Sequence, residues 1–195
     1  MMGGLVRPQT GRMKLLQAAM TLFEANGYFA TTIEQISQQA GVSKGLTYNY
    51  FRSKEELLIA LVEDATSRMA SVSSELSEGR SASESVASFL NVFFTFLKTE
   101  KTYLKLQLTI LHTPELRKIV DAAVKQRAEM LLKQVSRWMK DLGVEKSRDN
   151  ARIILAMLDG VALHYLSIYD KYPLDAVQKQ LTRNILDLCR QHKDE

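Results

Sequence analysis

Apolar residues recur every three or four positions along nearly the whole chain, and no stretch alternates in the manner of a strand. Leu15, Ala19, Leu22 and Phe23 predict a helix from about Thr10 to Ala25, stopped by Asn26-Gly27. Ile33, Ile36 and Ala40 mark a short second helix and the segment SKGLTYNY a third. Lys54 begins a long helix whose Leu57, Leu58, Leu61 and Val62 face the first three, and whose Met69 and Val72 lie in its far half. A turn at Ser77–Ser83 leads to a helix from about Ala82 to Thr99, heavily loaded with Phe89, Phe93, Phe94 and Phe96. Thr102–Leu111 follows as a short apolar helix. A long one runs from Pro114 to Leu142, opened by its proline and closed by Gly143.

The stretch Asp149–Tyr169 breaks the one-sided pattern. Its apolar residues lie all round the helix, which needs burial on every side. In a chain of this size one side can face its own domain and the other a second subunit. The final helix, Leu174–Arg190, carries one apolar stripe. Two such helices from each subunit predict a four-helix dimer interface. Its expected residues are Ile154, Leu158, Leu166, Val177, Leu181, Ile185 and Leu188.

Composition narrows the function. The chain has 195 residues, a hydrophobic content of 46% that suffices for a packed core, and a net charge of +4 that mildly favours an anionic partner. A lone cysteine, Cys189, excludes an internal disulfide and fits a reducing cytoplasm. The longest apolar run, Ile153–Ile168, is interrupted by Asp159 and His164, so no membrane span is expected. Residues up to about Gln9 read as a flexible arm without the apolar core of a signal peptide, its Arg7 within reach of phosphates. No paired catalytic residues, phosphate-binding glycine loop or metal-ligand spacing of His and Cys occurs, so neither an enzyme nor a cofactor is expected.

The stretch Thr31–Leu57 carries the chemistry. Thr31 or Thr32 can cap the second helix, each with Glu34 or Gln35 at capping-box spacing. Gly41 ends that helix, Val42 plugs the turn, Ser43 caps the third helix, and Ser53 with Glu56 caps the fourth. This is a helix-turn-helix, which lays its second helix in the DNA major groove. The order Thr-Thr-Ile, Ala-Gly-Val-Ser-Lys-Gly, Tyr-x-Tyr-Phe-x-Ser-Lys-Glu resembles the DNA-binding domain of the TetR family from Arg12 to about Leu61. Two positions depart from it: Thr47, where an aliphatic residue is usual, and Tyr50, where histidine is frequent.

The resemblance implies an all-α protein with an N-terminal three-helix DNA-binding domain, residues 1–53, and a C-terminal helical domain, residues 54–195, for effector binding and dimerisation. It also implies a homodimer on a double-stranded DNA operator, most often as a repressor released by a small effector. On the exposed face of the third helix, Lys44, Gly45, Thr47 and Asn49 are candidates to read bases, and Ser43 at its start is a further DNA-binding candidate. Thr32, Tyr48, Tyr50 and Lys54 are candidates for phosphates. Thr47 reads equally as a core contact, and Tyr50 equally as a core aromatic; Phe51 reads as core. For a mainly apolar effector the candidates are Phe93, Phe96, Leu97, Leu104, Leu108, Met130, Gln134, Met157, Val161 and His164, which read equally as ordinary core. A regulator without a small effector, and a helical enzyme or carrier for an apolar substrate, are the alternatives.

Overall fold

The structure, a computed structural model, describes the backbone of residues 7–77 and 80–191 and the side chains of residues 10–67 and 80–188. Among the described residues it is all helix: α1 (Arg7–Asn26), α2 (Ile33–Ala40), α3 (Lys44–Tyr50), α4 (Lys54–Ser77), α5 (Ala82–Thr99), α6 (Lys101–His112), α7 (Pro114–Ile119), α8 (Asp121–Asp141), α9 (Ser147–Leu163) and α10 (Leu174–Gln191). A π-helical turn, His164–Ile168, extends α9. The first helix already begins at Arg7, so residues 7–9 are helix and not arm; the expectations for residues 1–6, for the Met69, Val72 and Cys189 side chains and for Gly79 and His192 lie outside the described residues.

Two compact units divide the chain. One holds the described residues up to Ala65 together with Thr102–Ala123; the other holds Thr66–Lys101 and the described residues from Val124 onward. The division falls inside α4, after Ala65, whereas the residue pattern suggests residues 53 and 54. It also assigns Leu104 and Leu108, on α6, to the first unit.

In the first unit Leu15, Ala19, Phe23, Ile36, Phe51, Leu57 and Leu58 are all buried. Gly41, at φ 62°, takes the left-handed conformation that ends α2, and its N–H bonds back to Gln38 and Ser37. Ser53 accepts from the Glu56 N–H at 3.1 Å, while the Glu56 carboxylate accepts from Arg52 N rather than Ser53 N, at 2.6 Å. The predicted single helix over 114–142 is two helices. Val120 leaves the helical conformation at φ −101°, ψ 8° and buries its side chain, so the apolar plug is seated by breaking the helix.

In the second unit Phe89, Leu90, Phe94 and Leu97 of α5 are buried, as are Val135, Trp138 and Met139 of α8. Phe89 meets Trp138 with ring centroids 5.6 Å apart. Lys98 Nζ bonds Asp175 at 2.7 Å, tying α5 to the start of α10, and this ammonium holds the Asp175 carboxyl below the usual carboxylate range. On α9, Ala151, Ile154 and Leu158 point inward at helical spacing, and on α10 so do Leu174 and Ile185. The opposite face of α9 leaves Ile153 57% and Met157 38% exposed, and Ile168 beyond it 52%.

This corrects the expected interface. Ile154, Leu158 and Ile185 are filled positions of their own chain and have no surface left for a partner. Leu166, Val177, Leu181 and Leu188 are half-buried. The residues left uncovered are their outward neighbours. Ser147–Ile168 also meets the length and composition of a membrane-crossing helix, with only 17% of that stretch buried.

The two faces of α9 should respond differently to charge. Ile154→Asp should destabilise the fold by about 4 kcal/mol or more, because a carboxylate without a partner enters the core. Ile153→Asp should leave the urea midpoint within about 0.5 kcal/mol of wild type under conditions that keep the chain monomeric. Equal losses for both would mean that the faces are misassigned.

Candidate nucleic-acid interface

The site is built from the loop between α1 and α2 upward. Gly27, at φ 79°, turns the chain out of α1, and its N–H bonds Phe23 O at 3.0 Å. Thr31, 1% exposed, folds its hydroxyl back to within 2.8 Å of Gly27 O and 3.2 Å of Leu22 O. Of the two adjacent threonines it is therefore Thr32 that caps α2. Thr32 Oγ1 accepts from Gln35 N at 3.2 Å, and Gln35 Oε1 accepts from Thr32 N at 2.8 Å. Thr32 itself stays exposed beside the positive end of the α2 dipole.

Ser43 caps α3 by accepting from Leu46 N at 3.3 Å. Lys44, Gly45, Leu46, Tyr48 and Asn49 all face solvent. A β-carbon added at Gly45 meets nothing within 4 Å, so nothing inside the protein requires glycine there. Lys44 Nζ lies 3.4 Å from Glu34 Oε2 in an exposed pair of little energetic weight, free to swing to another acceptor. Residue type does not single out Leu46 as a candidate. Its signal was position: an apolar side chain 43% exposed on the outward face of this helix, suited to touch a thymine methyl group.

Thr47 is a correction to the expected reading set. It is fully buried, and its hydroxyl lies 3.1 Å from Ser43 O and 2.9 Å from Ser37 Oγ, which is also 2.7 Å from Ile33 O. This hydroxyl pair joins α2 to α3 and cannot reach DNA. Phe51 is core, with the Arg12 guanidinium 5.6 Å above its ring. Tyr50 is half-buried against α1: a β-carbon at Gly11 would stand 2.9 Å from the Tyr50 hydroxyl, so that glycine makes room for the ring.

Phe29, Thr32, Glu34, Lys44, Tyr48 and Lys54 line an open groove of about 320 Å³. It brings together four of the nine expected DNA-binding residues, and places Phe29, 65% exposed, at its edge. Beneath lies Tyr28, whose pKa is pushed up by burial and by the charge of Glu55. The Glu55 carboxyl is held below its usual value, first by its own backbone N–H at the start of α4 and then by the Ser53 hydroxyl.

The expected effector residues differ in exposure. Leu97 is fully buried, which makes it core and not a lining residue. Phe93, edge-on to Phe94 at 5.3 Å, is half-buried, as are Phe96, Gln134 and Val161. Met130 and Met157 are exposed by 40% and 38%. His164 is not a core histidine: it is exposed on the π turn, edge-on to Tyr169 at 5.5 Å. Among the described residues no group of three His, Cys, Asp or Glu side chains gathers to hold a metal.

A capped short helix presented by a second one, with a polar outward face beside a groove, is the geometry of a helix-turn-helix. Residues 15–61 match the family described as bacterial regulatory proteins, tetR family. That match covers the helix-turn-helix and the helices on either side of it, so this segment is similar to the DNA-binding domain of TetR-family transcriptional regulators. The chain is 30% identical over 86 residues to the fatty acid metabolism regulator protein of Bacillus subtilis, covering 44% of each chain. It is 33% identical over 69 residues to the HTH-type transcriptional repressor AcnR of Corynebacterium glutamicum, covering 35% of this chain and 37% of that one. The matched segments thus span less than half the length of these relatives. In fold it is similar to the transcriptional regulator FadR of Bacillus subtilis in complex with stearoyl-CoA, at TM-score 0.74 and 22% identity, over 89% of this chain and 97% of that one.

Thr47→Val should cost less than about 1 kcal/mol, since the single Ser37 hydroxyl proton still has the Ile33 carbonyl to turn to and the shape is preserved. Affinity for DNA per folded molecule should not change. A loss of affinity beyond the change in folded fraction would return Thr47 to the contact surface.

Proposed function

We propose that this protein is a cytoplasmic, homodimeric transcriptional repressor that binds a palindromic operator and is released by a small, mainly apolar effector. The observation that carries the reading is the outward face of α3. Lys44, Gly45, Leu46, Tyr48 and Asn49 stand clear of the core beside the groove at the α2 N-terminus. Lys44 donates to guanine O6 and N7, Leu46 offers an apolar contact, and Thr32 and Tyr48 hold phosphates. The relative that carries the name repressor supports the sign of regulation.

The dimer is supported by the uncovered face of α9, where Ile153, Met157 and Ile168 are exposed. A second subunit covers this face better than lipid does. The same helix carries Asp159 midway, charged residues at Arg148, Asp149 and Arg152, and a far side committed to the chain's own core. The effector is supported by the half-buried Phe93 and Phe96 of α5 and by the solved regulator that holds stearoyl-CoA, a ligand with a long apolar chain.

Selection of duplexes from a random-sequence pool tests the DNA reading. A palindrome should emerge, with half-sites about 34–36 Å apart or a multiple of that. Lys44→Ala should weaken its binding by about 1–3 kcal/mol and relax preference at one position per half-site. Failure to enrich any sequence would sink the reading.

Ile153→Asp, folded by the criterion given above, should sediment as a monomer where wild type is a dimer. A dimeric Ile153→Asp would move the interface off α9. Stearoyl-CoA or stearate should release wild type from the selected duplex, and Phe93→Trp should blunt that release while leaving DNA binding intact. Release by neither ligand would exclude long-chain acyl effectors.

A further inference from the structure

Lys54 opens α4, and its ammonium turns inward. Nζ donates to Tyr28 O at 2.9 Å and Thr31 O at 2.8 Å, lies 3.4 Å from Phe29 O, and stands 4.4 Å above the Tyr28 ring. An ammonium has three donors, and these acceptors take them up. The carbonyls it gathers belong to the link between α1 and α2, where no helix supplies partners. Thr31, one of the three, directly precedes the N-cap residue of α2. Phe29 and Thr31, two of the clamped residues, line the groove beside the recognition helix together with Thr32 and Lys54 itself. Lys44, by contrast, is exposed and bound only to the equally exposed Glu34.

We propose that Lys54 is a positioning residue for DNA binding and not a phosphate ligand: its ammonium clamps the Tyr28–Thr31 carbonyls and so fixes the α2 N-terminus against α4. The functional half of this proposal rests on the DNA-binding reading above; the clamp itself does not. The geometry also sets a chemical requirement. Three acceptors converging on one point, roofed by an aromatic ring, suit a compact ammonium and not a planar guanidinium. A phosphate site makes the opposite demand, since arginine serves it as well or better.

Two variants, Lys54→Met and Lys54→Arg, separate the roles. In the free protein, hydrogen exchange at the Thr31, Gln35 and Ile36 amides should speed up in both, while the Thr47 amide in α3 stays as in wild type. Lys54→Arg carries the test alone should Lys54→Met not fold. On the duplex selected by wild type, both should bind roughly tenfold more weakly or worse. The dependence of log affinity on log salt should keep its wild-type slope. A phosphate ligand gives another pattern: Lys54→Met lowers that slope by about 0.9 per subunit, about 1.8 for a dimer on two half-sites, Lys54→Arg restores affinity, and exchange is unchanged. Unchanged exchange in both variants, or rescue by arginine, overturns the proposal. If wild type enriches no duplex, the DNA-binding reading falls while the exchange measurements still decide the clamp.

Discussion

Four residues between α1 and α2 hold backbone carbonyls that no helix can satisfy, and one ammonium resolves most of them. Lys54 reaches from the first position of α4 to Tyr28, Phe29 and Thr31, while Thr31 turns its own hydroxyl back to Gly27 and Leu22. Left unpaired, a buried carbonyl costs free energy comparable to a lost hydrogen bond. Satisfying them together gives the loop a single conformation, and that conformation sets where α2 begins. The Thr32–Gln35 capping box then starts the helix at a defined residue. The orientation of α3 is inherited from α2 in turn, through the left-handed Gly41 and the buried Ser37–Thr47 hydroxyl pair.

That hydroxyl pair shows how a departure from a family pattern is accommodated. A threonine in place of an aliphatic residue brings one donor and one extra acceptor into a core. The turn supplies Ser43 O for the donor, and α2 supplies Ser37 for the acceptor. With both satisfied, burial of the polar group is tolerated, and α3 gains a directional link to its neighbour. Its outward residues stand clear of the core, and Lys44 among them forms an exposed ion pair with Glu34.

In the second unit the governing constraint is that α9 is apolar on both sides but has a core to serve on one. Ala151, Ile154 and Leu158 take the inner stripe, and Ile153 and Met157 are left outside. The aromatic load of α5 divides in the same way. Phe89, Phe94 and Leu97 are consumed by packing, and Phe93 and Phe96 keep part of their surface.

Much of this was legible in the residues. Helix periods, the glycine stop at Gly41, the caps at Ser43 and Ser53 and the outward recognition residues follow from local chemistry, which acts within one turn of chain. Three things did not follow. Residue type alone does not say which of two adjacent threonines caps α2, because the role of the other depends on carbonyls contributed by the last turns of α1 and by Gly27 just after it. Nor does it say whether a lysine at a helix start faces solvent or carbonyls 23 to 26 residues away. In a helix apolar all round, which residues lie on which side was set by the packing of the whole unit. The sequence by itself determined most of the helices and the helix-turn-helix motif, because both depend on short-range spacing, but not the break at Val120 or the start of α1 at Arg7. Tertiary structure alone decided that Thr47 and Lys54 look inward and that Ile153, not Ile154, looks out, because those assignments depend on which distant groups arrive to satisfy a donor or fill a space.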